Sequence, residues 1–241
     1  MSEVASLLGD AFAPVTSAMG FLRAPLEDVA STLAAWRRDI HGFAKSRSLA
    51  EGFRANVSAL EPLTGGVRPR ELVVATSNPE WTAVFDCGVQ GGDPSTTVGF
   101  LARTMRIQGV VVVSIPDVPA GPEQPERYGA RQFEMFGPVA TDCLNYVRTI
   151  SVVRDGCRWR FDANGTIQDF EQVEAYKRRR VVERFTSSML VEYAAALGLE
   201  PFNEAFFPGP CVLVTNPAVP PPGAVVLNIQ QAQRWSGIAS G

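Results

Sequence analysis

The hydrophobic positions fall into runs whose period changes along the chain, and the clearest succession lies at 71–115. Leu72, Val73 and Val74 sit in a β-forming stretch, Glu71–Thr76, closed by the turn residues Ser77-Asn78-Pro79. In Trp81-Thr82-Ala83-Val84-Phe85 large apolar residues alternate with smaller ones, which predicts a strand over Glu80–Asp86 packed on one face. Gly88, Gly91 and Gly92 permit a tight turn with positive φ. Asp93-Pro94 reads as an N-cap followed by proline at the first helical position. Val98, Leu101, Ala102 and Met105 give the helix Pro94–Arg106 one apolar face. The unbroken apolar run from Val110 to Val113 predicts an interior strand, ending at Ile115 and covered on both faces.

On the N-terminal side, Leu26, Val29, Leu33, Trp36 and Ile40 recur at helical steps and predict an amphipathic helix over Pro25–Ile40, with Trp36 as a core anchor. Glu27 and Asp28 in its first turn, and Arg37 and Arg38 in its last, complement the helix dipole, and Gly42 ends it. The first twenty residues are mixed and suggest only a short helix at Val4–Phe12. Phe43–Leu63 fits either a helix through Phe53, Val57 and Leu60 or a strand within Arg47–Leu60, the helical or irregular form being preferred.

On the C-terminal side, Pro116–Tyr128 holds four prolines and is expected to be a long exposed loop, the most mobile segment of the chain. Arg131–Phe136 alternates as a half-buried strand. Asn145–Arg154 and Cys157–Asp162 form a hairpin about Asp155-Gly156. Arg184–Leu197 carries Phe185, Met189, Leu190, Tyr193 and Leu197 at helical steps before Gly198, and Cys211–Thr215 reads as a last strand. Hairpins alternating with single helices predict an α+β fold: a mainly antiparallel sheet with helices packed on one side. The expected organisation is one domain over 1–215 and a Pro-rich, loosely attached tail over 216–241. Only Trp81–Ile115 resembles a crossover, whereas a doubly wound nucleotide-binding fold needs several.

Composition narrows the classes. With 46% apolar residues in 241 the chain can bury a core, and a net charge of −3 gives no bulk attraction to nucleic acid or anionic membrane. No apolar run approaches the roughly 20 residues needed to span a bilayer. Met1–Asp10 has no basic region of the kind that opens a secretory signal, so a cytoplasmic protein is expected. Cys87, Cys143, Cys157 and Cys211 are widely spaced and His41 is the single histidine, so no metal or other cofactor is expected and the thiols read as free.

Three places carry candidate chemistry. The Gly88–Asp93 turn lies between a strand and a helix, where phosphate loops occur. It lacks the lysine and hydroxyl of a P-loop, and Asp86 and Asp93 would repel an anion. Asp86, Asp93 and Glu134, with Glu80, form a candidate carboxylate site for acid–base work. No G-x-S-x-G occurs, and His41 is far from any paired nucleophile. Lys177, Arg178, Arg179, Arg180 and Arg184 form the strongest charge feature. Without interleaved aromatics they suit a protein partner with an acidic face better than nucleic acid.

The run Trp81–Gly88, Gly92-Asp93 and Gly99–Arg103 resembles a group of actinobacterial proteins, as do Phe21–Trp36, Trp159–Phe161 and Arg184–Leu190. That group resembles immunity proteins, partners that neutralise toxins delivered between bacteria. The resemblance implies a non-enzymatic, protein-binding function and carries over no catalytic residue. The sequence departs from the group at Cys87, where an asparagine is expected. The alternative is an enzyme with its carboxylate site at the 88–93 turn.

Overall fold

The computed structural model describes residues 6–121 and 125–238. The hydrophobic runs become strands of one nine-stranded antiparallel sheet. In chain order these are β1 (Ala18–Leu22), β2 (Lys45–Leu49), β4 (Arg70–Ala75), β5 (Thr82–Asp86), β6 (Gly109–Ile115), β7 (Ala130–Phe136), β8 (Tyr146–Asp155), β9 (Arg158–Gly165) and β10 (Cys211–Thr215). Across the sheet they stand β2-β10-β4-β5-β1-β6-β7-β8-β9. β3 (Leu63–Thr64) and β11 (Val226–Leu227) pair separately. The helices are α1 (Leu26–His41), α2 (Phe53–Asn56), α3 (Ser95–Met105), α4 (Ser187–Ala196) and α5 (Ile229–Trp235). The class is α+β with an antiparallel sheet, as the alternation of hairpins and helices predicts.

Successive side chains of a strand point to opposite faces, and here both faces are covered. Val111, with Leu22, Val73, Val84 and Val214, meets α1 and α3, which lie together on one side. Val110 and Val112 join Phe21, Leu72, Phe85 and Phe133 in a second core with α4, α5 and short 3-10 turns. The apolar run at 110–113 therefore reflects burial on two sides, and β5 is likewise buried at every residue rather than on one face. Trp81 belongs to the second core and Trp36 packs against the first, so the sheet lies between the two aromatics. Trp36 stacks on Phe100 of α3 with ring centroids 4.1 Å apart.

The central strand is β1, flanked by β5 and β6 in antiparallel register. The predicted crossover from β5 through α3 to β6 thus skips one strand, and α3 crosses directly over β1. A Cβ added at Gly20 would lie 2.6 Å from Val98 Cγ2 and 3.0 Å from Pro94 Cβ. Gly20→Ala is accordingly expected to cost about 1–3 kcal/mol by overpacking, measurable by chemical denaturation. An unchanged midpoint would mean that α3 does not press on β1 this closely.

Several segments differ from the sequence reading. The predicted helix at 4–12 is a 3-10 turn at Asp10–Phe12, and residues 4 and 5 lie outside the described residues. Segment 43–63 contains both alternatives, β2 followed by α2 and a 3-10 turn at Val57–Leu60. In the 116–128 loop the described stems are bound: Val118 and Arg127 exchange two backbone hydrogen bonds of 2.9 Å, and Arg154 pairs with Asp117 and Glu126. The tail from 216 is tied to the body rather than loosely attached, over its described residues. Asn228 and Gln231 form a capping box at α5, Ala232 is fully buried, and Gln233 donates to the carbonyls of Asp10 and Ala11.

Candidate functional site

The 88–93 turn is built around the carboxylate of Asp86, at the end of β5. Oδ1 accepts the Gly88 N–H at 2.7 Å and Oδ2 the Asp93 N–H at 3.0 Å. Arg68 Nε lies 2.9 Å from Oδ1, an ion pair out of hydrogen-bond alignment. The turn wraps so closely that a Cβ at Gly88 would fall 2.9 Å from Oδ1, and one at Gly92 3.2 Å from Oδ2. The glycines are needed because the chain folds around a buried acid. No side chain caps α3: Pro94 holds the N-cap position, and Asp93, expected to cap, contributes its N–H to Asp86 instead. Burial pushes the Asp86 carboxyl above its ordinary value, with Arg68 and the two N–H groups opposing.

Asp86 stands directly across from Glu71 in the β4–β5 register, so two buried carboxylates are neighbours. Each has its own arginine. Arg37 of α1 grips Glu71 through both oxygens, at 2.6 and 2.7 Å, and Thr97 of α3 donates to Glu71 at 3.0 Å. The same guanidinium lies 4.0 Å from the centre of the Trp36 ring. This cluster fastens α1 and α3 to the sheet.

Glu134, on β7, accepts from Ser95 Oγ at 2.8 Å beside the start of α3. Burial raises its pKa, the Ser95 bond opposes this, and nearby Asp93 adds to it. The Asp93 carboxylate is therefore within electrostatic reach of Glu134, while its backbone N–H binds Asp86, although its own side chain is exposed. Because the folded value lies above the ordinary 4.5, Glu134 contributes stability that is fully present below that value and lost as pH rises through the folded pKa. Glu134→Gln should therefore gain stability over the wild type towards neutral pH, the difference shrinking on acidification. Denaturant titrations at several pH values test this, and a gap that widens in acid would reverse the sign. Among the described residues no group of three or more His, Cys, Asp or Glu side chains could hold a metal ion.

The basic cluster leads into a turn that packs beside β9, the last strand of the sheet. It follows a 3-10 turn at Val173–Lys177, runs through an extended link, and reaches a second 3-10 turn at Val181–Glu183. The helix expected from Arg184 begins at Ser187, capped by Thr186. The five cations splay. Lys177 pairs with Glu174 at 2.8 Å and Arg180 with Glu183 at 2.9 Å. Arg178 donates to the Glu183 carbonyl, and Arg184 to the Arg178 carbonyl. Exposed Arg179 has no ion-pair or hydrogen-bond partner among the described residues. Buried Arg131 of β7 holds the whole segment by donating to the carbonyls of Phe185 (2.8 Å) and Val182 (3.1 Å).

Beside this segment an open cleft of about 470 Å³ is lined by Arg158, Trp159, Arg180, Val181 and Val182. Arg158 is exposed and, like Arg179, has no charged partner among the described residues. In the sequence, Arg158, Trp159, Val181 and Val182 do not stand out as a group. The available signal was an arginine–tryptophan–arginine alternation directly after the Asp155-Gly156 turn.

No helix among the described residues is long and apolar enough to cross a membrane. Comparison of the chain with protein-family models, curated proteins and solved structures finds no match.

Proposed function

We propose that this chain is a non-enzymatic binding protein of the cytoplasm that meets a protein partner with an acidic face through Lys177–Arg184 and the adjoining strand β9. In this reading the partner is a toxin that the chain neutralises, as an immunity protein does. The observation that carries the reading is the pair Arg158, which lines the open cleft, and Arg179, next in the chain to cleft-lining Arg180: two exposed guanidiniums without charged partners among the described residues. Free exposed charges of one sign steer an oppositely charged partner. Two carboxylates of the alternative site have other occupations: Asp86 braces a turn and Glu134 binds Ser95, which favours binding over chemistry at 88–93.

The test uses the protein encoded by the adjacent gene, where an immunity protein's target is found. Arg158→Glu combined with Arg179→Glu is expected to slow association by about tenfold or more at low salt, the defect shrinking as salt screens the field. Duplex DNA is the rival probe. Binding to it at physiological salt that is abolished by the same reversals would overturn the reading, as would an association rate indifferent to both charges.

A further inference from the structure

We propose that the cleft between β9 and the 180–182 link is a socket for one large apolar side chain carried on an acidic segment of the partner. The proposal rests on the binding reading above and names what that partner presents. Trp159, Val181 and Val182 give the cleft an apolar lining, and Arg158 and Arg180 border the same opening. An apolar anchor flanked by carboxylates satisfies both, and a basic segment would meet Arg158, Arg179 and Arg180 with like charge. Among the described residues the Arg180 side chain is bound to Glu183 alone, through groups 68% and 42% exposed, and so exposed a pair contributes little and exchanges readily.

The socket is held in shape before any partner arrives. Trp159 passes so close to Gly129 that a Cβ there would lie 2.7 Å from its Cη2. Arg131 lies 5.7 Å from the Trp159 ring centre and also holds the carbonyls of Val182 and Phe185, so one buried cation ties floor and wall together. Tryptophan and arginine dominate the energetics of protein interfaces, and a preformed pocket lowers the ordering cost of binding.

The probe is a capped peptide of sequence Asp-Glu-Leu-Asp-Glu, read through the indole N–H resonance of Trp159 in the isotope-labelled full chain. The expected result is a saturable shift, weakened about tenfold when the leucine is replaced by alanine and lost in Val181→Asp. Arg158→Glu, at an exposed position, provides a second variant whose folding is not at stake and should weaken the same shift. Absence of a shift at about 5 mM peptide, or an equal shift from a lysine–arginine peptide of the same length, overturns the proposal. If the adjacent-gene protein binds Val181→Asp as tightly as wild type while the Arg158/Arg179 reversal slows association, the socket is wrong and the basic surface stands. If the reversal changes nothing, the surface reading itself is wrong.

Discussion

Trp81→Ala is expected to destabilise the protein by about 3–5 kcal/mol, the usual range for truncating a large buried aromatic. Trp81 precedes β5, is 2% exposed, and lies in the core shared with Phe85, Phe53 and α4. Its Nε1–H donates to the Leu197 carbonyl at 3.0 Å, which fastens the end of α4 to the sheet. Truncation removes both the ring and this bond, and the carbonyl loses its donor. Trp81→Phe keeps much of the apolar contact and should cost less. Chemical denaturation of both variants checks the order, and an alanine variant with the wild-type midpoint would mean that β5 has been placed wrongly.

Arg37→Ala is expected to be as costly, about 3–5 kcal/mol, because it strands a buried carboxylate. The Glu71 side chain is 1% exposed and that of Arg37 11%, so neither is well solvated. Once Arg37 is gone, Glu71 keeps, among the described residues, the Thr97 hydroxyl alone and stands opposite Asp86, a second buried acid. Arg37→Met combined with Glu71→Leu removes both charges and keeps the volume, and it should be far less destabilised than Arg37→Ala alone. The same denaturation assay over the double-mutant cycle checks this. A single substitution no worse than the double would show that Arg37 does not neutralise Glu71.

Much of the scaffold was legible because its elements carry their own signals. The period of Leu26–Ile40 with Gly42 gives α1, and the Asp155-Gly156 turn gives the β8–β9 hairpin. The central strand β1 was not legible. Ala-Met-Gly-Phe-Leu has no β-branched residue, and its extended form comes from pairing on both sides, with the glycine demanded by α3 rather than by any turn. β2 has almost no apolar residue, and its pairing with β10 fixes it at the sheet edge, where lysine is a usual guard. The attached tail did announce itself, since the spacing of Asn228 and Gln231 is a capping signature. The prolines before it drew the reading towards a loose segment.

The candidate sites divide in the same way. The glycines of 88–93 could be read as a turn, and Asp86 as a residue able to brace it, but its burial could not, because its partner Arg68 arrives from before β4. The charge of 177–180 was plain in the sequence. Its splaying onto Glu174, Glu183 and two carbonyls depends on the local turns, and the cleft depends on Arg131 drawing Val182 towards the sheet beside β9. Contacts made by residues distant in the chain leave no local period to read.

Hydrogen exchange of the chain alone and bound to the adjacent-gene protein separates the two sites most directly. Binding through the basic surface predicts added protection at Lys177–Arg184 and along β9 from Arg158, with the 88–93 turn unchanged. Protection centred on 88–93 and the start of α3, with Lys177–Arg184 exchanging as in the free protein, would contradict the account.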